Sequence, residues 1–305
     1  MQSSRGVSAI CLIGSVCLIF VASVGLNGQS NARRMIVTVT DDDGAPVGGL
    51  GPTDFVIRED GNAREVLSVG PAGAGRQIAL LVDTSQAAAR ALVDFRNGLT
   101  AFIDGMSEGN EISLITFGGP PRILVESTTS AVRLADGIDD LFALPGQAAY
   151  MLDALDQTAE GFARREVPRP LMVVLTTEGI DYSNRSARRV LERIDESGAA
   201  VYTLSLRVGR NAFAASPNIS ALELRNQEID RDLVLERGPG NSGGRHRDLL
   251  ASLAIGRAMQ EIVEELRNQY LVVYSRPDAL IPPEEITVNV EQQGLTARGT
   301  PLRAE

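Results

Sequence analysis

The feature that most constrains this chain is the run at residues 77–87, Gln-Ile-Ala-Leu-Leu-Val-Asp-Thr-Ser-Gln-Ala. Its apolar part, residues 78–82, stops abruptly at Asp83 and Ser85. An apolar run of strand length without polar alternation, followed by an alanine-rich helical pattern, predicts a strand buried on both faces. Such strands belong to parallel sheets covered by helices, which place their ligand sites at the carboxyl ends of the strands. Asp83 and Ser85 are therefore the first candidate site residues.

From residue 76 onward strand and helix patterns alternate. Residues 77–83 are the first strand. Residues 88–106 read as a helix, with Leu92, Phe95, Leu99, Phe102 and Ile103 on one face. Strands follow at 111–117 and, after Gly118-Gly119-Pro120-Pro121, at 122–126 as a short edge. Helices are expected at 130–142 and 150–162, a second buried strand at 171–177, a helix at 185–197 and a strand at 201–206. Residues 209–244 are the least legible, with a helix near 220–229 and then a Gly-rich loop. An amphipathic helix at 249–267 feeds an apolar strand, 270–274, stopped by Pro277. This order predicts an α/β, Rossmann-like fold with a mostly parallel central sheet flanked by helices.

The two ends read differently. Ile36, Val37 and Val39 alternate with Thr38 and Thr40, and Asp41-Asp42-Asp43-Gly44 is a turn signal. The triple aspartate lacks the ligand series and closing Glu of an EF-hand, so it reads as a solvated turn. Asp60-Gly61 between apolar runs marks a hairpin. Residues 71–75 form a Gly/Ala/Pro linker. The tail alternates again at Ile286, Val288 and Val290, and is too short to fold alone. It is expected to return and pair with the N-terminal strands. The expected organisation is thus a leader at 1–30, an N-terminal β subdomain at 33–72, the α/β domain at 75–276, and C-terminal strands at 283–300.

Residues 1–30 carry Arg5 and then an apolar run at 7–26, near spanning length. They read as a signal peptide, with an uncleaved membrane anchor as the alternative. Either places the remainder outside the cytoplasm, in the periplasm, at the cell surface or beyond. Both cysteines, Cys11 and Cys17, lie in this segment, so the folded part has no disulfide or thiolate chemistry. A net charge of −10 argues against nucleic acid or an anionic membrane surface as a partner. The chain contains no lysine, which excludes a Walker-type phosphate loop and a Schiff base. Its one histidine, His246, excludes a zinc site built on several histidines.

Several segments together resemble the von Willebrand factor type A (VWA) family. Asp83-Thr84-Ser85-Gln86-Ala87 resembles its D-x-S-x-S loop. Leu152-Asp153-Ala154-Leu155 resembles a -YDAL- helix start, and residues 173–179 with Asp181 resemble a -VLLTDG-D- strand and loop. Ser242-Gly243-Gly244-Arg245-His246 and residues 262–270 with Tyr274 resemble the closing helix and strand. With the N-terminal strand module, the pattern is similar to an exported bacterial VWA-related family abundant in Acidobacteria. The resemblance covers most of residues 35–298. It implies a VWA fold, export, and a role in binding proteins rather than catalysis.

In that family a hard divalent cation sits in a metal-ion-dependent adhesion site, held by an Asp and two Ser, a Thr, and an Asp from three loops. Here Asp83 and Ser85 match the first two ligands. Ala87 replaces the second serine, Ala149 stands at the threonine position, and Glu178 stands for the third-loop aspartate. A methyl group cannot coordinate a cation. The expectation is a degenerate site in which Asp83, Ser85 and Glu178 are the remaining metal candidates. No cofactor is expected, a weakly held Mg²⁺ or other divalent ion being the alternative. In the metal-free case Ser85 would cap the following helix. Thr177 and Asp181 lie close enough to substitute as ligands.

The expected function is an exported, non-enzymatic module that binds a protein partner at the top of the sheet. One alternative is divalent-metal-dependent adhesion. A second is a serine hydrolase, because Gly240-Asn241-Ser242-Gly243-Gly244 fits G-x-S-x-G and His246 lies nearby. A third is an assembly factor that makes its contacts through the β subdomain.

Overall fold

The computed structural model describes residues 32–207, 221–276 and 283–302. The expected leader at 1–30 lies outside the described residues, as do the first part of the poorly legible stretch and Pro277.

The central sheet is built from β5 (Gln77–Val82), β6 (Glu111–Thr116), β7 (Arg122–Thr128), β8 (Pro170–Thr177), β9 (Ala200–Leu206) and β10 (Arg245–Leu249). Among the described residues its strand order is β10-β9-β8-β5-β6-β7. All pairings are parallel except that of β7 with β6, which is antiparallel and bulged. β5 lies between β6 and β8, and its side chains alternate between two cores. Ile78, Leu80 and Val82 pack with α1 (Leu92–Met106), α2 (Ala131–Asp139) and α6 (Ala254–Arg267). Ala79 and Leu81 pack with α3 (Met151–Arg164), α4 (Ala187–Ser197) and α5 (Ala221–Ser242). This two-sided burial is why the sequence shows an unbroken apolar run at β5 and again at β8.

α1 and α6 approach closely through glycines. A Cβ at Gly98 would stand 2.8 Å from Ile255 Cγ2, and one at Gly105 would press on Val263. Helix α1 starts later than expected, because residues Gln86–Arg90 form a 3-10 turn first.

The chain termini form two further sheets. β1 (Ala32–Asp41), β4 (Val66–Pro71), β11 (Tyr270–Ser275) and β13 (Leu295–Pro301) make one, in the order β13-β1-β11-β4. β2 (Phe55–Glu59), β3 (Asn62–Arg64) and β12 (Ile286–Val290) make the other, in the order β12-β2-β3. Every pairing in both is antiparallel. Met35, Val37, Val39, Phe55, Ile57, Val272 and Val288 share one core between them. The tail therefore returns to the N-terminal strands, β13 onto β1 and β12 onto β2. β11, read from sequence with the α/β domain, sits here between β1 and β4. Its burial alternates strictly, as suits a strand with one buried face, whereas β8 is buried throughout.

Two parts of the sequence reading are corrected. The Gly-rich stretch at 238–242 is the last part of α5 rather than a loop, with Pro239 inside it. Packing overrides propensity there: the helix end lies against α4, and the Ser242 hydroxyl accepts the Val201 N–H at 3.0 Å. β10 was not anticipated at all. Its sequence, Arg-His-Arg-Asp-Leu, is polar, as an edge strand can be.

A buried polar network joins the α/β sheet to the terminal strands. The Tyr202 hydroxyl on β9 donates to Glu265 Oε1 at 2.7 Å, and Arg298 of β13 donates to the same oxygen at 2.7 Å. Gln269 donates to Thr38 Oγ1 at 2.9 Å and accepts from Arg76 at 2.8 Å. Burial, followed by the charge of Glu265, pushes the Tyr202 phenol well above its ordinary range. The unfolded chain therefore loses this proton near pH 10 while the folded chain retains it, so stability falls as pH rises above about 10. Urea unfolding between pH 8 and 11 should show that decline, and Tyr202→Phe should make it shallower. Glu265→Ala, which strips Arg298, Arg245 at 3.3 Å and the Tyr202 phenol of their partner, should cost about 3–5 kcal/mol in the same assay at pH 7.

Candidate functional site at the sheet top

β5, β6, β8, β9 and β10 end at the same side of the sheet, and their loops converge there. Asp83, the first residue past β5, is 0% exposed. Its Oδ1 accepts the Ser85 N–H at 2.8 Å. Its Oδ2 accepts the Thr177 N–H at 3.1 Å and the Thr177 hydroxyl at 2.7 Å. One carboxylate thus ties the end of β5 to the end of β8.

Thr84 makes the corresponding tie to β6. Its Oγ1 accepts the Gly118 N–H at 3.1 Å, and its carbonyl accepts the Leu144 N–H at 2.8 Å. A Cβ at Gly118 would overlap the Thr84 carbonyl carbon, so only glycine permits this approach. Gln86 clasps the next loop, donating its N–H to Gln147 O at 3.0 Å and accepting the Gly146 N–H at 2.9 Å. Ala149 then bridges to both Gly118 and Asp181.

Asp181 is 1% exposed and acts as the N-terminal cap of α3 from a different loop. Its Oδ2 accepts the N–H groups of Met151 at 2.7 Å and Leu152 at 3.3 Å, and its Oδ1 accepts that of Ser183 at 2.9 Å. Burial pushes its carboxyl above the ordinary range, while the Ser183 and Met151 bonds and the charge of Arg231 act the other way. Arg231 reaches in from α5, is 5% exposed, and donates to Thr177 O at 2.7 Å.

The sequence-derived candidates fare unevenly. Asp83 and Ser85 adjoin at the top of the sheet. Ser85 does stand at the N-cap of the 3-10 turn, but its hydroxyl makes no cap bond, which corrects that expectation. The Ser85 Oγ is buried and has no hydrogen-bond partner among the described residues. Glu178 is half-buried, and its N–H donates to Leu206 O at 2.7 Å. Its charge acts on the exposed Arg207 at the end of β9, which binds Asp248 at 2.6 Å. Thr177 spends its hydroxyl on Asp83, and Asp181 spends both oxygens on backbone donors.

A hard divalent cation needs about six oxygens in near-octahedral array. These loops offer the Ser85 hydroxyl, the half-buried Glu178 carboxylate, an Asp83 carboxylate already engaged by three donors, and methyl groups at Ala87 and Ala149. That set falls short of such an array. Among the described residues no group of three or more His, Cys, Asp or Glu side chains gathers in metal-ligating geometry.

Ser242 and His246 are each hydrogen-bonded elsewhere rather than to one another. The Ser242 hydroxyl donates to Pro239 O at 3.3 Å and accepts from Val201. The His246 Nδ1 faces Thr203 Oγ1 at 2.6 Å, and its Nε2 lies 3.5 Å from Asp248. Burial lowers the His246 pKa. Sequence reasoning missed Arg231, which sits in the polar stretch Asp230-Arg231-Asp232 with no pattern to mark it. Thr177→Val keeps the shape of the site but leaves Asp83 Oδ2 with a single donor. It should cost about 1–3 kcal/mol in urea unfolding.

No protein-family model matches the chain, and no curated protein matches it. Solved structures do align with it. An aerotolerance-related membrane protein from Bacteroides fragilis aligns at 19% identity and TM-score 0.45, covering 62% of this chain and 98% of that one. A von Willebrand factor type A protein from Catenulispora acidiphila aligns at 11% identity and TM-score 0.46, covering 90% and 74%. BatB from Bacteroides thetaiotaomicron aligns at 16% identity and TM-score 0.43, covering 63% and 98%. At these scores the likenesses carry no weight for site or function, and they lend no support to the narrower kinship with the family abundant in Acidobacteria. The sheet, parallel but for its antiparallel edge strand and covered by helices on both faces, is the α/β, Rossmann-like architecture expected from the sequence.

Proposed function

We propose that this chain is an exported, non-enzymatic VWA-type module that binds a protein partner at the top of its sheet, through a metal site that has become degenerate. The observation that carries the reading is the placement of exposed apolar side chains. Phe142, Leu250, Leu253 and Val93 are 64%, 84%, 85% and 65% exposed, and all four lie where helices meet the sheet top. Arg96, one turn below Val93, bonds the Leu141 carbonyl next to Phe142. Gly98 faces Ile255, which sets the first turn of α1 level with the 250–253 loop. Exposed apolar residues beside cross-tied loops suit protein recognition. Export is supported by the apolar run at 7–26. Among the described residues no helix is long and apolar enough to cross a membrane.

Two measurements test the reading. Thermal melts in EDTA and in millimolar Mn²⁺ should coincide, because a ligand of the native state would raise the midpoint. A Mn²⁺ shift that Asp83→Ala abolishes would overturn the metal-free part. Capture of a partner from the native envelope fraction should weaken at least fivefold in Phe142→Ser/Leu253→Ser with the melt unchanged. Undiminished capture would move the interface elsewhere, the terminal β strands being the next surface to try.

A further inference from the structure

We propose that the guanidinium of Arg231 is the resident cation of the sheet top, the counter-charge that the buried carboxylates Asp83 and Asp181 need. It extends the metal-free reading above and does not depend on any partner.

Asp83 and Asp181 are both withdrawn from water and both sit in the loop cluster at the ends of β5 and β8. Each is solvated by three protein donors, yet dipoles alone leave buried negative charge uncompensated. Neither makes a direct ion pair among the described residues. Arg231 stands one residue away from Asp83, through Thr177. Its Nη2 holds the Thr177 carbonyl at 2.7 Å, and the N–H and hydroxyl of that same Thr177 hold Asp83.

The converse holds for Arg231. A guanidinium is rarely buried unless it is paired. Its direct acidic contact, Asp232 at 3.3 Å, has a side chain 59% exposed and therefore screened. The remaining compensation must come from within, and the charge of Arg231 acts on Asp181. It also opposes a positive charge on His246, as a positive centre at this place should. A fixed guanidinium of this kind neutralises the sheet top without an exchangeable ion. The orphan Ser85 hydroxyl is a part of the cluster that Arg231 leaves unused.

The test is a double-mutant cycle on the purified chain in EDTA, read as melting temperature. Arg231→Gln keeps a donor for the Thr177 carbonyl and removes only the charge. It should lower the midpoint by about 10 °C. In an Asp181→Asn background the same substitution should cost less than half as much, since one carboxylate no longer needs a counter-ion. An equal cost in both backgrounds would make Arg231 a packing and hydrogen-bonding residue only, and would overturn the inference. If Arg231→Gln does not fold, Arg231→Lys decides: a folded protein within about 5 °C of the parent supports a need for charge, and failure of both overturns it. A parent protein whose melt shifts with Mn²⁺ would instead refute the metal-free reading, while the cycle in EDTA still judges Arg231 separately.

Discussion

A strand enclosed on both faces can carry polar side chains only where it leaves the sheet. β5 is enclosed in this way, hydrogen-bonded to β6 on one side and β8 on the other, with a helical layer on each face. Its first polar side chain beyond the core is Asp83, and that carboxylate immediately becomes an acceptor for β8 through Thr177. The remaining ties at the sheet top follow from this one. Thr84 holds Gly118, Gln86 holds the loop at 146–147, and Asp181 caps α3. The loops are therefore cross-linked by hydrogen bonds between buried groups, which are worth most where water is excluded.

The opposite end of the sheet is governed by a second polar cluster. Helix α6 delivers Glu265, and the turn after it delivers Gln269, into the space between β9 and the terminal strands, and Tyr202, Arg298, Arg76 and Thr38 complete their hydrogen bonds. An apolar seam would hold the layers as firmly, but it would not specify one register. A satisfied network of this kind is costly to break at any single member. Both chain ends are thereby committed to one β structure, since β1, β11 and β13 pair side by side.

At the sheet top the buried carboxylates are engaged by the protein's own donors. Asp83 and Asp181 point their oxygens at N–H and O–H donors of the protein itself, and Ala87 and Ala149 present methyl groups. Such a cluster is organised by hydrogen bonds within the protein. Along its rim Phe142, Leu250 and Leu253 are exposed.

Much of this was legible in the sequence. Unbroken apolar runs marked β5 and β8, because a strand's pattern reports how many of its faces are buried, whereas β1 alternates Val with Thr and is nonetheless buried throughout residues 35–40. The departures at Ala87, Ala149 and Glu178 were equally plain, since the absence of a ligand atom needs no coordinates. Other features depended on contacts between distant segments. β10 is polar and became a strand only because β9 offered it an edge. Residues 238–242 became helix because α4 and β9 pack around them, against the local preference of Gly and Pro. Ser85 did not cap, Asp181 capped a helix that begins 30 residues before it, and Arg231 crossed from α5 to the end of β8. Hydrogen-bond partners so far apart in the chain leave no periodic trace. The sequence alone determined the layers and the order of the strands' burial; the tertiary structure alone decided which polar groups satisfy one another, because that depends on where the loops meet.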